Sequence, residues 1–204
     1  DLIRLRGALH ILQDRVPQGL SDLYRARRGL ADRRNSFQAC ETDLEIGWGE
    51  LQASDVSAAR TSYQSALQIA RDIGARRAEC VALLGLAHCA GEEGRLDRAS
   101  RYLFQAQPMA EALGSPQLRF DIYAEKGMQA WHTGRTGHAI GWWRRCAEVC
   151  IALLETLPAG SYDTVFLEHP RRRWVLNALE SLVQEDDVGP NDQDGAADAE
   201  DEES

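Results

Sequence analysis

The sequence repeats at a fixed interval of 40 residues, and that period limits what the chain can fold into. Gly7, Gly47, Ala87 and Gly127 share one column, and Gly19, Ala59, Ala99 and Ala139 share a second. Leu23, Tyr63, Leu103 and Trp143 form a large apolar column. Ala26, Ala66, Ala106 and Cys146 follow as a small one, then Leu30, Ala70, Ala110 and Cys150. Within each copy the last four columns are spaced by four, three and four residues, which is one face of a helix. Small residues on that face let two backbones approach closely, and the large one fills the space beside them. The Gly/Ala column twelve residues earlier belongs to a first helix. Each copy therefore predicts a helix, a tight turn and an antiparallel second helix.

Turn chemistry supports this division. Within the four copies, turns are expected at Val16-Pro17-Gln18-Gly19, Ala53-Ser54-Asp55, Gly91 to Asp97, and Thr133 to Gly137. Second helices are expected to stop at Ile73-Gly74 and at Leu113-Gly114-Ser115-Pro116, with the fourth ending later, near Leu157 to Gly160.

The segment from Leu83 to Ala106 (Leu83, Leu86, Ala87, Gly94, Leu96, Ala99, Leu103, Ala106) resembles the tetratricopeptide repeat. Ile46, Gly47, Ala59, Tyr63 and Ala66 match it more loosely, as do Tyr123, Gly127, Gly134, Ala139 and Trp143. That repeat usually runs about 34 residues, so six more are expected to lengthen the second helix and the connection after it. The resemblance implies an all-α, right-handed superhelical α-α solenoid. Four repeats fall at about 1–40, 41–80, 81–120 and 121–160. A C-terminal capping helix follows over 161–185, where Trp174, Val175, Ala178, Leu179, Leu182 and Val183 form an apolar stripe behind Pro170. Longer variants of this kind are similar to arrays attached to bacterial signalling proteins. The chain opens on Asp1, within a helical pattern, and reads as part of a longer protein.

Of the 32 acidic residues, ten lie between Glu185 and Ser204, where there is no basic residue, leaving 22 against all 23 bases in residues 1–184. The folded part is thus nearly neutral, and 186–204 reads as a disordered acidic tail. Of the bases, only Lys126 is not arginine. No apolar run reaches the roughly 18–20 residues that span a bilayer, and no signal-peptide pattern opens the chain, so a cytoplasmic location is expected. Five cysteines (Cys40, Cys80, Cys89, Cys146, Cys150) in such a chain read as buried small residues rather than disulfides or metal ligands.

No phosphate loop, nucleophile elbow or HExxH helix occurs, so no catalytic residue, metal or cofactor is expected. Arg171-Arg172-Arg173 is the one compact basic run, and without a nucleic-acid motif it reads as a solvated helix start. Functional expectation falls on the groove that the resemblance places along the first helices. Its lining would include Arg4, Ala8, Glu41, Glu45, Trp48, Gln52, His88, Glu92, Asp121, Glu125, Met128 and His132. Carboxylates there would steer a basic protein or peptide segment, and Trp48 and Met128 would bury its apolar anchor. Basic clamps for a C-terminal carboxylate, as in chaperone-binding members of the family, are lacking. The leading expectation is a protein-interaction scaffold within a larger regulatory protein. The alternative is a sensor array that binds a small effector and controls an attached enzymatic or DNA-binding domain.

Overall fold

The computed structural model describes residues 2–30 and 36–154, and beyond them Arg173 and Asn177. The chain divides into two units, Asp1–Leu153 and Leu154–Ser204. In the second, only the exposed helical residues Arg173 and Asn177 are described. The rest of the expected capping helix (161–185), the acidic tail (186–204) and the stop at 157–160 lie outside the described residues.

The first unit is all-α, an α-solenoid of antiparallel helix pairs, with no strand among the described residues. The pairs are α1 (Leu2–Leu12) with α2 (Val16–Arg28), and α3 (Ser36–Gln52) with α4 (Val56–Asp72). They continue with α5 (Arg76–Glu92) and α6 (Leu96–Ala112), then α7 (Pro116–His132) and α8 (Thr136–Leu154). Helices α3 to α7 each hold 17 residues. In the second and third pairs the two helices are therefore equally long and only three residues lead on to the next pair, contrary to the expected extension of the second helix and its following connection.

Six turns repeat one geometry. Their central residues, Asp14, Ser54, Gly74, Gly94, Gly114 and Gly134, all have φ between 58° and 70°. The next residue's N–H returns to a carbonyl five residues back: Arg15 to His10 at 2.8 Å, Asp55 to Glu50 at 2.8 Å, Ala75 to Ala70 at 2.8 Å. Arg95, Ser115 and Arg135 do the same. This closes the helix end with a left-handed residue, where glycine is unstrained. The Asp55 and Ser115 side chains then cap the next helices through Ala58 N–H and Leu118 N–H.

The expected first turn is displaced. Val16 to Gly19 forms the first turn of α2, where proline is tolerated, and the chain reverses at Gln13-Asp14-Arg15. Gly19 serves close approach instead: a Cβ there would lie 2.8 Å from the Gly7 carbonyl oxygen. Gly91, Asp97 and Gly137 likewise sit inside helices, and only the residues between them turn.

Within each pair the large second-helix residue packs on the small first-helix column. A Cβ on Gly7 would lie 2.9 Å from Leu23 and on Gly47 3.0 Å from Tyr63, and on Gly127 it would overlap the Trp143 ring. Tyr63 also crosses to the next pair, since a Cβ on Gly85 would meet its ring at 2.5 Å. A thiol recurs at the same crossing. Cys40 donates to Ala66 O and Cys80 to Ala106 O, whereas in the last pair Cys146, on the second helix, donates to Phe120 O. All five cysteines are buried thiols outside any disulfide. Burial pushes the Cys40 and Cys80 thiols up to about 11 and Cys89 to about 12, which suppresses the reactive thiolate.

Candidate functional site

Each first helix touches the next one directly (α1 to α3, α3 to α5, α5 to α7), while among α1–α7 the second helices touch one another marginally at most. A stack with one closely spaced layer curves toward that layer, which makes the first helices the inner face.

The 40-residue period places Trp48, His88 and Met128 at equivalent points of α3, α5 and α7, forming a ladder that crosses three helices. Trp48 is 37% exposed, and His88 and Met128 are half-buried. One turn further on, Gln52, Glu92 and His132 are exposed at the helix ends. Toward the helix starts, Glu41 and Asp121 are half-buried, and Asp121 accepts a bond from Gln117 at 2.9 Å. Phe37 lies one turn before Glu41 and is exposed. It extends the same stripe, but sequence division at residue 41 left it in the previous copy.

Two expected carboxylates hold the layer together. Glu125 is buried, and its Oε2 lies 3.0 Å from His88 Nδ1, linking α7 to α5. Gly91 faces it, and a Cβ there would make only an ordinary contact with Glu125 Oε1 at 3.5 Å. Glu45 pairs with Arg4 across α3 and α1. Burial pushes the Glu45 carboxyl up to about 7 against the opposing pull of Arg4, with Glu41 adding to the rise. Ala8, half-buried on α1, is the ladder position before Trp48. Glu41 and Glu92 carry no ion pair among the described residues.

A second polar arrangement escaped the periodic reading. Arg27 Nε donates to Asp43 at 2.5 Å and Ser65 Oγ donates to its other oxygen at 2.7 Å. One helical step away, Tyr24 and Ser62 hydroxyls donate to the two oxygens of Glu50. Asp43 and Glu50 are both buried, so each carboxylate ties α2, α3 and α4 together. In the next copy their positions hold Leu83 and Ala90, both buried and apolar. The seven-residue spacing of two acids on α3, facing Tyr24 and Arg27, was the available signal.

The fold and inner face define a class: helix-pair solenoids with a side-chain ladder across the first helices. The fold is similar to that of BtubC (BKLC) from P. vanneervenii, whose crystal structure superposes with a TM-score of 0.64 at 13% identity. The match covers 98% of this chain and 86% of that one, and at such identity it speaks for fold alone. No protein-family model matches the chain, and no curated protein sequence matches it. No described helix is long and apolar enough to cross a membrane.

Proposed function

We propose that this chain is a protein-interaction scaffold resembling tetratricopeptide arrays, and that it docks an extended segment along its inner face. The observation that carries the reading is the Trp48–His88–Met128 ladder, which gives an apolar and aromatic line across three rigid helices. Partly exposed aromatics on a preorganised surface are favourable anchors, because little side-chain freedom is lost on binding. Glu41 and Glu92 flank the line and favour a basic segment with one apolar anchor. Glu125 and Glu45 support the surface rather than meeting a ligand. A cytoplasmic module of a larger signalling or regulatory protein is the setting that fits this role.

The test is selection of a random-peptide display library on the wild-type chain, with the Trp48→Ala/Met128→Ala double variant as counter-target. Selected peptides should carry an apolar residue among Arg and Lys, and should bind the double variant roughly tenfold or more weakly. Peptides that bind both proteins equally, or lack basic residues, would remove the inner face as the docking site.

A further inference from the structure

Every first helix after α1 is flanked by two second helices, its own and that of the preceding pair, and these three seams differ in charge. In the first, Asp43 on α3 accepts from Arg27 of α2 and from Ser65 of α4. In the second, Leu83 and Leu86 fill the same stretch of α5, both almost fully buried. In the third the acid is gone and bases take its surroundings. The 40-residue period puts Tyr123 in the place of Asp43, Gln107 in that of Arg27 and Arg145 in that of Ser65. Lys126, the chain's one lysine, stands where Ile46 and Leu86 are buried.

The two bases gather on one ring. Lys126 Nζ lies 4.4 Å from the centre of the Trp142 ring, and the Arg145 guanidinium carbon lies 4.7 Å from it. The Tyr123 ring sits beside Trp142, centre to centre at 5.7 Å. Lys126, Trp142 and Tyr123 are half-buried and Arg145 is exposed, so the cluster opens to solvent from within the seam. A ring face attracts a cation through its π electrons and leaves N–H donors available. Lys126 gives one donor to Gln107 Oε1, and Arg145 makes no hydrogen bond among the described residues.

Neither cation has an ion pair among the described residues. Glu111 on α6 is exposed and accepts from Gln107 Nε2 at 2.8 Å instead, and Glu148, one turn beyond Arg145, is also exposed. Burial pushes the Lys126 ammonium below the ordinary lysine range, Arg145 adds to the fall, and Glu111 opposes it. Two like charges at a half-buried ring repel, and an anion between them removes the repulsion and supplies the missing counter-charge.

We infer that the seam of α6, α7 and α8 binds a small phosphate monoester, its phosphate held by Lys126 and Arg145 beside Trp142. The ligand's anion then does in the third seam what the Asp43 carboxylate does in the first, bridging groups on neighbouring helices. A phosphate monoester carries about −1.5 to −2 charges near neutral pH and so matches an ammonium and a guanidinium together, whereas a carboxylate neutralises only one. The planar arginine fork meets two phosphate oxygens, and lysine supplies a point charge to the third. The lining comes from three packed helices rather than an extended groove, which suits a small molecule. Lys126 lies two residues before Met128 on α7 and so points away from the inner face, which makes this site independent of peptide docking there.

Because Lys126 is the only lysine, its acetylation by an N-hydroxysuccinimide ester, located by mass spectrometry on the full chain, reports occupancy. Phenyl phosphate should slow that acetylation about tenfold at saturation, with half-protection at about 1 mM or below, and inorganic phosphate should protect less tightly. Sodium acetate at equal ionic strength should not protect. Arg145→Gln should weaken protection roughly tenfold with circular dichroism unchanged, since Arg145 is exposed. Tyr123→Asp should abolish protection by giving the third seam the acid of the first, and if it misfolds Arg145→Gln carries the test alone. Acetylation equally fast with and without phenyl phosphate, equal protection by acetate, or an Arg145→Gln chain protected like the wild type would overturn the inference. Protection by a tyrosine-phosphorylated peptide but not by phenyl phosphate would overturn the assignment to a small ligand.

Discussion

Replacing Gly127 by alanine tests the packing rule on which the whole register rests. In an ordinary helix interior the change stabilises by roughly 0.5–1 kcal/mol, because glycine costs backbone entropy. Here the added Cβ would lie within 2.8 Å of Trp143 ring atoms, and Trp143 is almost fully buried. Overpacking of this sort costs roughly 1–3 kcal/mol, so the net expectation is a loss of about 1–2 kcal/mol. For a unit of this size that lowers the thermal midpoint by about 2–8 °C. The third pair supplies the compensation: Ala87 stands where Gly127 does, and the residue opposite it is Leu103. Trp143→Leu alone should cost roughly 2–4 kcal/mol through the cavity it leaves. Combined with Gly127→Ala, it should cost less than the two losses together, with a coupling of about 1–2 kcal/mol in a double-mutant cycle. Urea unfolding followed by circular dichroism measures all four corners. Gly141→Ala is the control, since a Cβ there meets nothing within 4 Å and should show only the helix gain. A Gly127→Ala variant as stable as that control, or a strictly additive cycle, would refute the reasoning.

Ser54 holds the left-handed turn position that glycine occupies four times, with φ of 60°. Ser54→Gly should therefore raise stability by about 0.5–1 kcal/mol in the same urea assay, after the entropic cost of glycine is set against the relief of strain. Pro108 stands inside α6, where it removes a backbone donor and crowds the carbonyl one turn earlier. Pro108→Ala should stabilise by roughly 1–3 kcal/mol, read as a rise in urea midpoint. Glu45 has a folded pKa raised from 4.5 to about 7, so the folded state holds its proton longer than the unfolded chain does. Stability should fall as pH rises between these two values, and Glu45→Gln should remove that slope in thermal melts recorded across the range.

The period was legible because it is written in side-chain size. Gly127 opposite Trp143, Ala87 opposite Leu103 and Gly47 opposite Tyr63 are matched volumes, and volume survives the reading of a one-dimensional string. Turn placement was less legible. Glycine marks both a left-handed turn, as at Gly94, and a close helix contact, as at Gly19, and the letter is the same for both. Asp14 and Ser54 turn the chain without glycine, so the first turn was placed several residues late. The inner face was legible as a set of positions but not as a set of free groups. Glu125 and Glu92 stand on equivalent helices, and only the fold shows that one is buried against His88 while the other is exposed. That difference depends on a residue 37 positions away, which no local pattern carries.

The array is not uniform along its length, and the differences lie at the joints. Between α4 and α5 the middle of the seam is apolar, with Tyr63 inserted against Gly85 and Leu83 and Ala90 at the positions of the first seam's acids, and the ion pairs Arg71–Glu79 and Arg60–Glu93 lie at its ends. Between α2 and α3 the seam is polar, held by Arg27–Asp43 and Tyr24–Glu50. Ile11, Leu23 and Ile46 form a small apolar cluster there, apart from the main core that runs through α3 to α7. Apolar seams are non-directional and tolerate small shifts, whereas bonds to buried carboxylates hold one geometry and are costly to break singly. The first pair is thus fixed in orientation by directional bonds while contributing little to the common core. Removing either carboxylate should loosen that joint before it unfolds the array, so Asp43→Ala should speed amide hydrogen exchange in α1 and α2 while lowering the melting temperature of the core formed by α3 to α7 only slightly.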